Sequence, residues 1–297
     1  MTLITIQGAF ELGCIFAILS LGLYISFKIL NIPDLTVDGS FTLGACVSGV
    51  LAVSGHPILG LFAAILCGML AGSITGILQT KLKVQTILAG ILTMTGLYSI
   101  NLRIMSNTPS ISLFNIPTLF TQFTNFIPAD LIKTIILPIL VIILVGLLYF
   151  FLKTQLGLSL RATGDNEVMV RASSINTDAM KILGLALANG LVALSGAIFA
   201  QHQSFADISG GIGMMIIGLA SIIIGDTIFK SKNILTQLMS VIVGAILYRY
   251  LLTFALQIGI NTNDLKLLSA CLVALAISIP TIKNYLAKSK KRGENHA

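Results

Sequence analysis

Nine stretches of this chain are apolar and long enough to leave water, and they follow one another with little between them. A helix that crosses the hydrocarbon core of a bilayer needs about 20 mostly apolar residues. Such runs occupy positions 5–30, 37–53, 57–80, 84–104, 131–152, 180–201, 212–229, 235–260 and 266–285. One such run is open to a second reading as a buried core helix; nine in succession are not. Only 10% of the 297 residues are charged and 56% are hydrophobic, with a mean hydropathy of +0.97. An average soluble domain is about 25% charged, so this chain has too few charges to cover a water-facing surface. The sequence therefore predicts an all-α integral membrane protein. It reads as a polytopic bundle of about nine spans forming one transmembrane domain over 1–297, in contact with membrane lipid. The first run is not a cleavable signal, because it has no basic leader and carries Glu11.

Basic residues orient the spans, since Lys and Arg collect in cytoplasmic loops. With the C-terminus inside, Lys28, Lys81, Lys83, Lys153, Arg161, Arg171, Lys181, Lys230, Lys232, Lys283, Lys288, Lys290, Lys291 and Arg292 are cytoplasmic. Only Arg103, Lys133, Arg249 and Lys266 are left. The net charge of +7 is thus a topology signal spread over several loops, and nucleic acid is not an expected partner. The longest outer loop is then 105–130, rich in Pro and Phe.

The one long polar interruption runs from Gly157 to Lys181. It holds Arg161, Asp165, Asn166, Glu167, Arg171 and Asn176, with Val168, Met169, Val170 and Ile175 between them. A short helix with one apolar and one charged face fits this pattern, and a polar segment between spans works at the membrane surface. We read 157–181 as a docking element for a soluble partner.

Two further places break the apolar pattern, IPDLTVDGSFTLG at 32–44 and FADISGGIG at 205–213. Each has an aspartate and glycines before a short apolar run. Irregular backbone is tolerated at membrane depth only where protein or a water-filled cavity surrounds it. In matching places of two halves, such segments point to a transport pathway and an inverted repeat. Asp38, Ser40 and Asp207, with Asn189 on a neighbouring span, are the candidate pathway residues. The competing reading makes both segments ordinary turns whose aspartates cap the next helix. Gly68, Gly72 and Gly76 are spaced for close helix approach, within one subunit or between two.

Glu11, Asp226 and Arg249 are charges inside spans, and Tyr98, Asn101 and Asn189 are neutral polar groups there. Glu11 and Arg249 are free to pair with each other or to reach the interface. His56, His202 and His296 are isolated, and Cys14, Cys46, Cys67 and Cys271 lie in apolar runs without metal-ligand spacing. No catalytic motif and no phosphate-binding loop is present, so neither an enzyme nor a cofactor site is expected.

At this point GLSLRATGDNEVMVRASSINTDAMKILGLALANGLVALSGAI resembles the cytoplasmic loop and following helix of bacterial ABC-importer permeases of the branched-chain amino-acid and ribose type. The family element G-x-x-x-RA-x-G-x-N falls on Gly157, Arg161, Ala162, Gly164 and Asn166, and its A-x-G-I-(N/D) stretch on Ala172, Ile175 and Asn176. Ser174 stands where the family has glycine. PDLTVDGSFTLGA resembles a subgroup whose genes accompany lipoprotein binding proteins and which is associated with aromatic amino acids. The resemblance implies a separate pair of ABC ATPase subunits, an extracytoplasmic binding protein or lipoprotein, and a second permease chain, identical or paralogous. It implies that Arg161, Asp165, Asn166, Glu167, Arg171 and Asn176 couple to the ATPase in the cell membrane, with the C-terminus cytoplasmic. A hydrophobic or aromatic amino acid is the expected cargo, with nucleosides or sugars the alternative. A secondary transporter would also use broken helices, but the docking-like loop and the lack of a carboxylate relay argue against it.

Overall fold

The computed structural model describes residues 3–123, 129–229 and 233–258, together with 264, 267, 269–271 and 274. Helix α1 (Leu3–Leu23) continues as wider π-helical turns at Tyr24–Ile29. Then come α2 (Thr36–Val53), α3 (Pro57–Thr80) and α4 (Thr86–Ile104). The loop that follows carries strand β1 (Ser110–Ser112) and leads to α5 (Ala129–Lys153). Two short helices, α6 (Gln155–Asp165) and α7 (Glu167–Ala172), precede α8 (Thr177–Gln203). Strand β2 (Phe205–Asp207), α9 (Met214–Ile228) and α10 (Ile234–Gln257) complete the order. Among the described residues, seven helices are long and apolar enough to cross a membrane, and α9 is shorter at 15 residues. The ninth expected run, 266–285, lies almost entirely outside the described residues.

Helix α8 is the axis of the bundle. The glycine stripe of α3 lies against it: a Cβ at Gly68 would meet Asn189 and Ala193, one at Gly72 Leu185, and one at Gly76 Ile182. The stripe therefore packs within the subunit. Long-range bonds sort the loops to two ends. At one end Lys28 pairs with Asp226, Lys81 with Asp178, and Asn31 donates to the Gly164 carbonyl; this end carries α6 and α7. At the other, Gln201 donates to the Pro57 carbonyl and Lys133 to the His202 carbonyl, and β1 pairs antiparallel with β2.

Two helices do not start at either end. Ser40 bonds to Asn189, and Ser48 to the Ala197 carbonyl. Equal steps of eight on both helices mean that α2 and α8 run parallel. By that register Thr36 lies level with Leu185, about 12 Å along α8 from Thr177. Helix α9 begins beside Asp38, in the first turn of α2, and ends where Asp226 meets Lys28. The two helices thus start at one depth and run in opposite directions. The irregular backbone of the first interruption is confined to residues 30–35, rather than 32–44. Helix resumes at Thr36, where the Thr36 N–H is held by the Asp34 carboxylate, so Asp38 and Ser40 are helical. The second interruption, 204–213, is irregular as expected, apart from β2.

Candidate functional site

The polar centre of the bundle lies roughly halfway along α8. Asn189 is twelve residues from Thr177, about 18 Å. Its Nδ2 donates to Asp34 Oδ2 at 2.6 Å and to the Leu185 carbonyl at 3.0 Å. Its Oδ1 accepts from Ser40 Oγ at 2.7 Å. Asp34, Ser40 and Asn189 are fully buried. Beside them, Thr36, Thr75 and Thr93 form a hydroxyl chain with steps of 2.8 and 2.9 Å. Buried polar groups need such partners because an unmet one keeps its whole desolvation penalty. No cation lies within ion-pairing distance of Asp34 among the described residues.

Asp38 faces the other interruption. Its carboxylate accepts from the Gly213 N–H at 2.9 Å and the Met215 N–H at 2.8 Å. The first N–H groups of any helix lack partners within it, so Asp38 caps α9 from a different element. A Cβ at Gly211 would overlap the Asp38 carbonyl, which explains the glycine there. Asp207 instead folds locally onto the N–H and hydroxyl of Ser209.

Two cavities flank this junction. One of about 300 Å³ is lined by Phe41, Ala45, Phe199, Phe205, Asp207, Ser209 and Gly210. The other, about 200 Å³, is lined by Asp38, Gly39, Thr42, Met94, Thr95, Tyr98, Asn101, Ile208 and Ile212. The four expected pathway residues therefore divide. Asp38 and Asp207 reach cavity walls, whereas Ser40 and Asn189 are sealed against each other in closed packing. Asp34 and the threonine chain were missed; Asp34 sits in the same irregular segment, but nothing in its neighbours marks it off from Asp38.

The intramembrane charges also find other partners than the pairing left open above. Glu11 accepts from Thr134 Oγ1 at 2.6 Å and lies 3.0 Å from His202 Nε2, while Arg249 lies over the Phe16 ring. His202 is thus not isolated; α8 carries it onto α1 across 191 positions.

At the α6–α7 end four of the six expected coupling residues take two kinds of role. Asn166 and Asn176 cap α7 and α8, accepting from the Met169 and Ala179 N–H groups, each at 3.1 Å. Glu167 pairs with Arg171 at 2.9 Å and Lys181 at 2.7 Å, and Arg171 reaches Asp178 at 3.1 Å. The hydrogen bond from Lys181 holds the Glu167 carboxyl below its usual range. Arg161 is half-buried and Asp165 is exposed. Val168 and Met169 are 79% and 68% exposed, an apolar tip beside a charged base. Ser174, in the place of the family glycine, has φ +62°. That is the left-handed region which glycine enters without steric cost, so the family glycine has a backbone reason.

The family described as "Branched-chain amino acid transport system / permease component" matches residues 6–278. The chain belongs to this family. The permease is 40% identical over 279 residues to the tyrosine transport system permease protein of Clostridioides difficile strain R20291, covering 94% of this chain and 92% of that one. It is 24% identical to the ribose import permease protein of Escherichia coli strain K12, over 84% of this chain and 77% of that one. Its fold resembles a metal-chelate type ABC transporter in an inward-facing conformation. That match has a TM-score of 0.52 and 16% identity, covering 94% of this chain and 85% of that one. The permease is therefore a multi-pass membrane subunit of an ABC importer and not an enzyme. ATP hydrolysis belongs to a separate subunit, and the family implies ATPase, binding-protein and second-permease partners.

Proposed function

We propose that the permease imports an aromatic or other hydrophobic amino acid, delivered by an extracytoplasmic lipoprotein. The observation that carries this reading is the 40% identity to a tyrosine transport permease over nearly the full length of both chains. Phe41, Phe199, Phe205 and Tyr98 on the cavity walls suit an aromatic cargo. In this reading the α6–α7 end is cytoplasmic, in keeping with the basic residues gathered there. Val168 and Met169 enter a groove of the ATPase, and the charged base around Glu167 and Arg171 sets their orientation. Closure of the ATPase pair upon ATP then rocks the bundle by rigid-body motion. Asp38 and Asp207 line the route, while Asp34, Ser40 and Asn189 hold the start of α2 at depth.

The test is uptake by proteoliposomes holding the permease, its ATPase and its binding protein. ATP-dependent tyrosine uptake that phenylalanine competes for and ribose does not is the expected result. Ribose uptake without tyrosine uptake would overturn the cargo. Reporter fusions at Asn115 and Ala297 check the orientation, with an external signal expected only at Asn115.

A further inference from the structure

One residue that lines the smaller cavity beside Asp38 carries a buried oxygen with no hydrogen-bond partner among the described residues. Asn101 is 1% exposed and lies on α4. Its Nδ2 points at the Gly39 carbonyl at 3.5 Å, and its Oδ1 is buried with no hydrogen-bond partner among the described residues. Flipping the amide would set oxygen against the Gly39 oxygen, so the carbonyl neighbour fixes Oδ1 as the free atom. An unmet buried acceptor keeps its full desolvation penalty. We propose that Asn101 Oδ1 is an acceptor for the ammonium group of the cargo, in a subsite between α2, α4 and residues 208–212. This rests on the amino-acid reading above.

The electrostatics select the ammonium rather than the carboxylate. A bare helix N-terminus would attract an anion, but Asp38 already occupies that of α9. A carboxylate offers about four lone-pair positions, and the Gly213 and Met215 N–H groups take two. Asp38 is the one charged side chain among the residues that line the cavity, so a cargo carboxylate there would meet like charge, and Asn101 supplies the unpaired oxygen. Met94, Tyr98, Ile208 and Ile212 supply the apolar wall for a side chain. The depth fits as well. A Cβ at Gly39 would touch Met94 and Leu97 of α4, so the cavity lies level with the start of α2 and α9, far from either end.

The experiment uses the assembled permease and ATPase in nanodiscs without binding protein, with tritiated tyrosine as probe. Tyramine, which keeps the ammonium, and 3-(4-hydroxyphenyl)propionate, which keeps only the carboxylate, are competitors. Displacement by tyramine and not by the acid is expected. Asn101→Leu, which removes the acceptor, should weaken tyrosine binding about tenfold, the equivalent of about 1.4 kcal/mol. The thermal midpoint and elution profile of the variant in detergent, expected to match the wild type, separate loss of the subsite from misfolding. Unaltered binding by Asn101→Leu, or displacement by the acid as strong as by tyramine, would overturn the subsite. So would wild-type tyrosine uptake from a loaded binding protein with no saturable binding in the nanodisc. If the wild-type importer moves no tyrosine at all, the cargo reading fails first and takes the ammonium assignment with it.

Discussion

The mid-depth junction and the α6–α7 segment are both polar, but they are assembled differently. At the junction, Asn189 joins Asp34 and Ser40 across 155 and 149 positions, all three sealed from solvent. At the α6–α7 end, Glu167, Arg171, Asp178 and Lys181 meet within 14 positions and stay partly exposed, around a buried Thr177. Buried polar groups bind each other because hydrocarbon supplies no alternative. Exposed ones are already solvated, so their pairs contribute little to stability and remain available to a partner. The first region holds the fold; the second presents a surface.

That contrast breaks most easily at Asp34. Asp34→Ala leaves one of the two Asn189 Nδ2 hydrogens and the Thr36 N–H without an acceptor and should destabilise the permease by about 3 kcal/mol. The expected result is a large drop in folded yield and thermal midpoint in detergent, with uptake lost. A stable, active Asp34→Ala would mean that the junction is not what holds α2 at depth.

Charge reversal at the surface should do the opposite. Glu167→Arg turns two ion pairs into repulsions, yet folding should change by only about 1 kcal/mol. Association with the ATPase should fall by tenfold or more, since misplaced charge at an interface weakens binding sharply. Co-purification against thermal midpoint separates the two, and equal losses in both would erase the contrast.

Acidity probes the same carboxylate more gently. The folded-state pKa of Glu167 lies below its ordinary 4.5. Its stabilising contribution is therefore complete above that value and fades as pH falls through the lower, folded-state one. Holding of α7 should be unchanged from about pH 8 down to about pH 6. Hydrogen exchange of the Val168 and Val170 amides checks this, and loosening near neutrality would count against the ion network. The smallest effect is expected at Ser174→Gly, which relieves a left-handed residue and should raise stability by about 0.5–1 kcal/mol without touching uptake.

What was legible in the sequence follows from range. The expected run at 57–80 matches α3 (Pro57–Thr80) end to end, with Pro57 starting the helix where a missing N–H does no harm. The runs at 37–53 and 235–260 begin within one residue of α2 and α10. Such limits depend on local composition. The polar cluster at 157–181 was legible for the same reason, as one dense segment. Asp38 as the cap of α9 was not, because a capping side chain is ordinarily sought next to the helix it caps, and this one is 175 positions away. Nor was Glu11 with His202, or the burial of Asp34, each of which depends on which spans become neighbours.

The short ladder between β1 and β2 has a mechanical consequence. Ser110 faces Asp207, Ile111 faces Ala206 and Ser112 faces Phe205, and the ladder is extended at both ends by bonds from Ile208 to Pro109 and Leu113 to Ser204. Strand β1 belongs to the long loop after α4; Phe205 and Asp207 belong to a cavity wall. The two strands form one stiff lever with one arm on the surface loop and the other inside the permease. A displacement of that loop is therefore expected to move the cavity wall through backbone bonds, with no side chain in between.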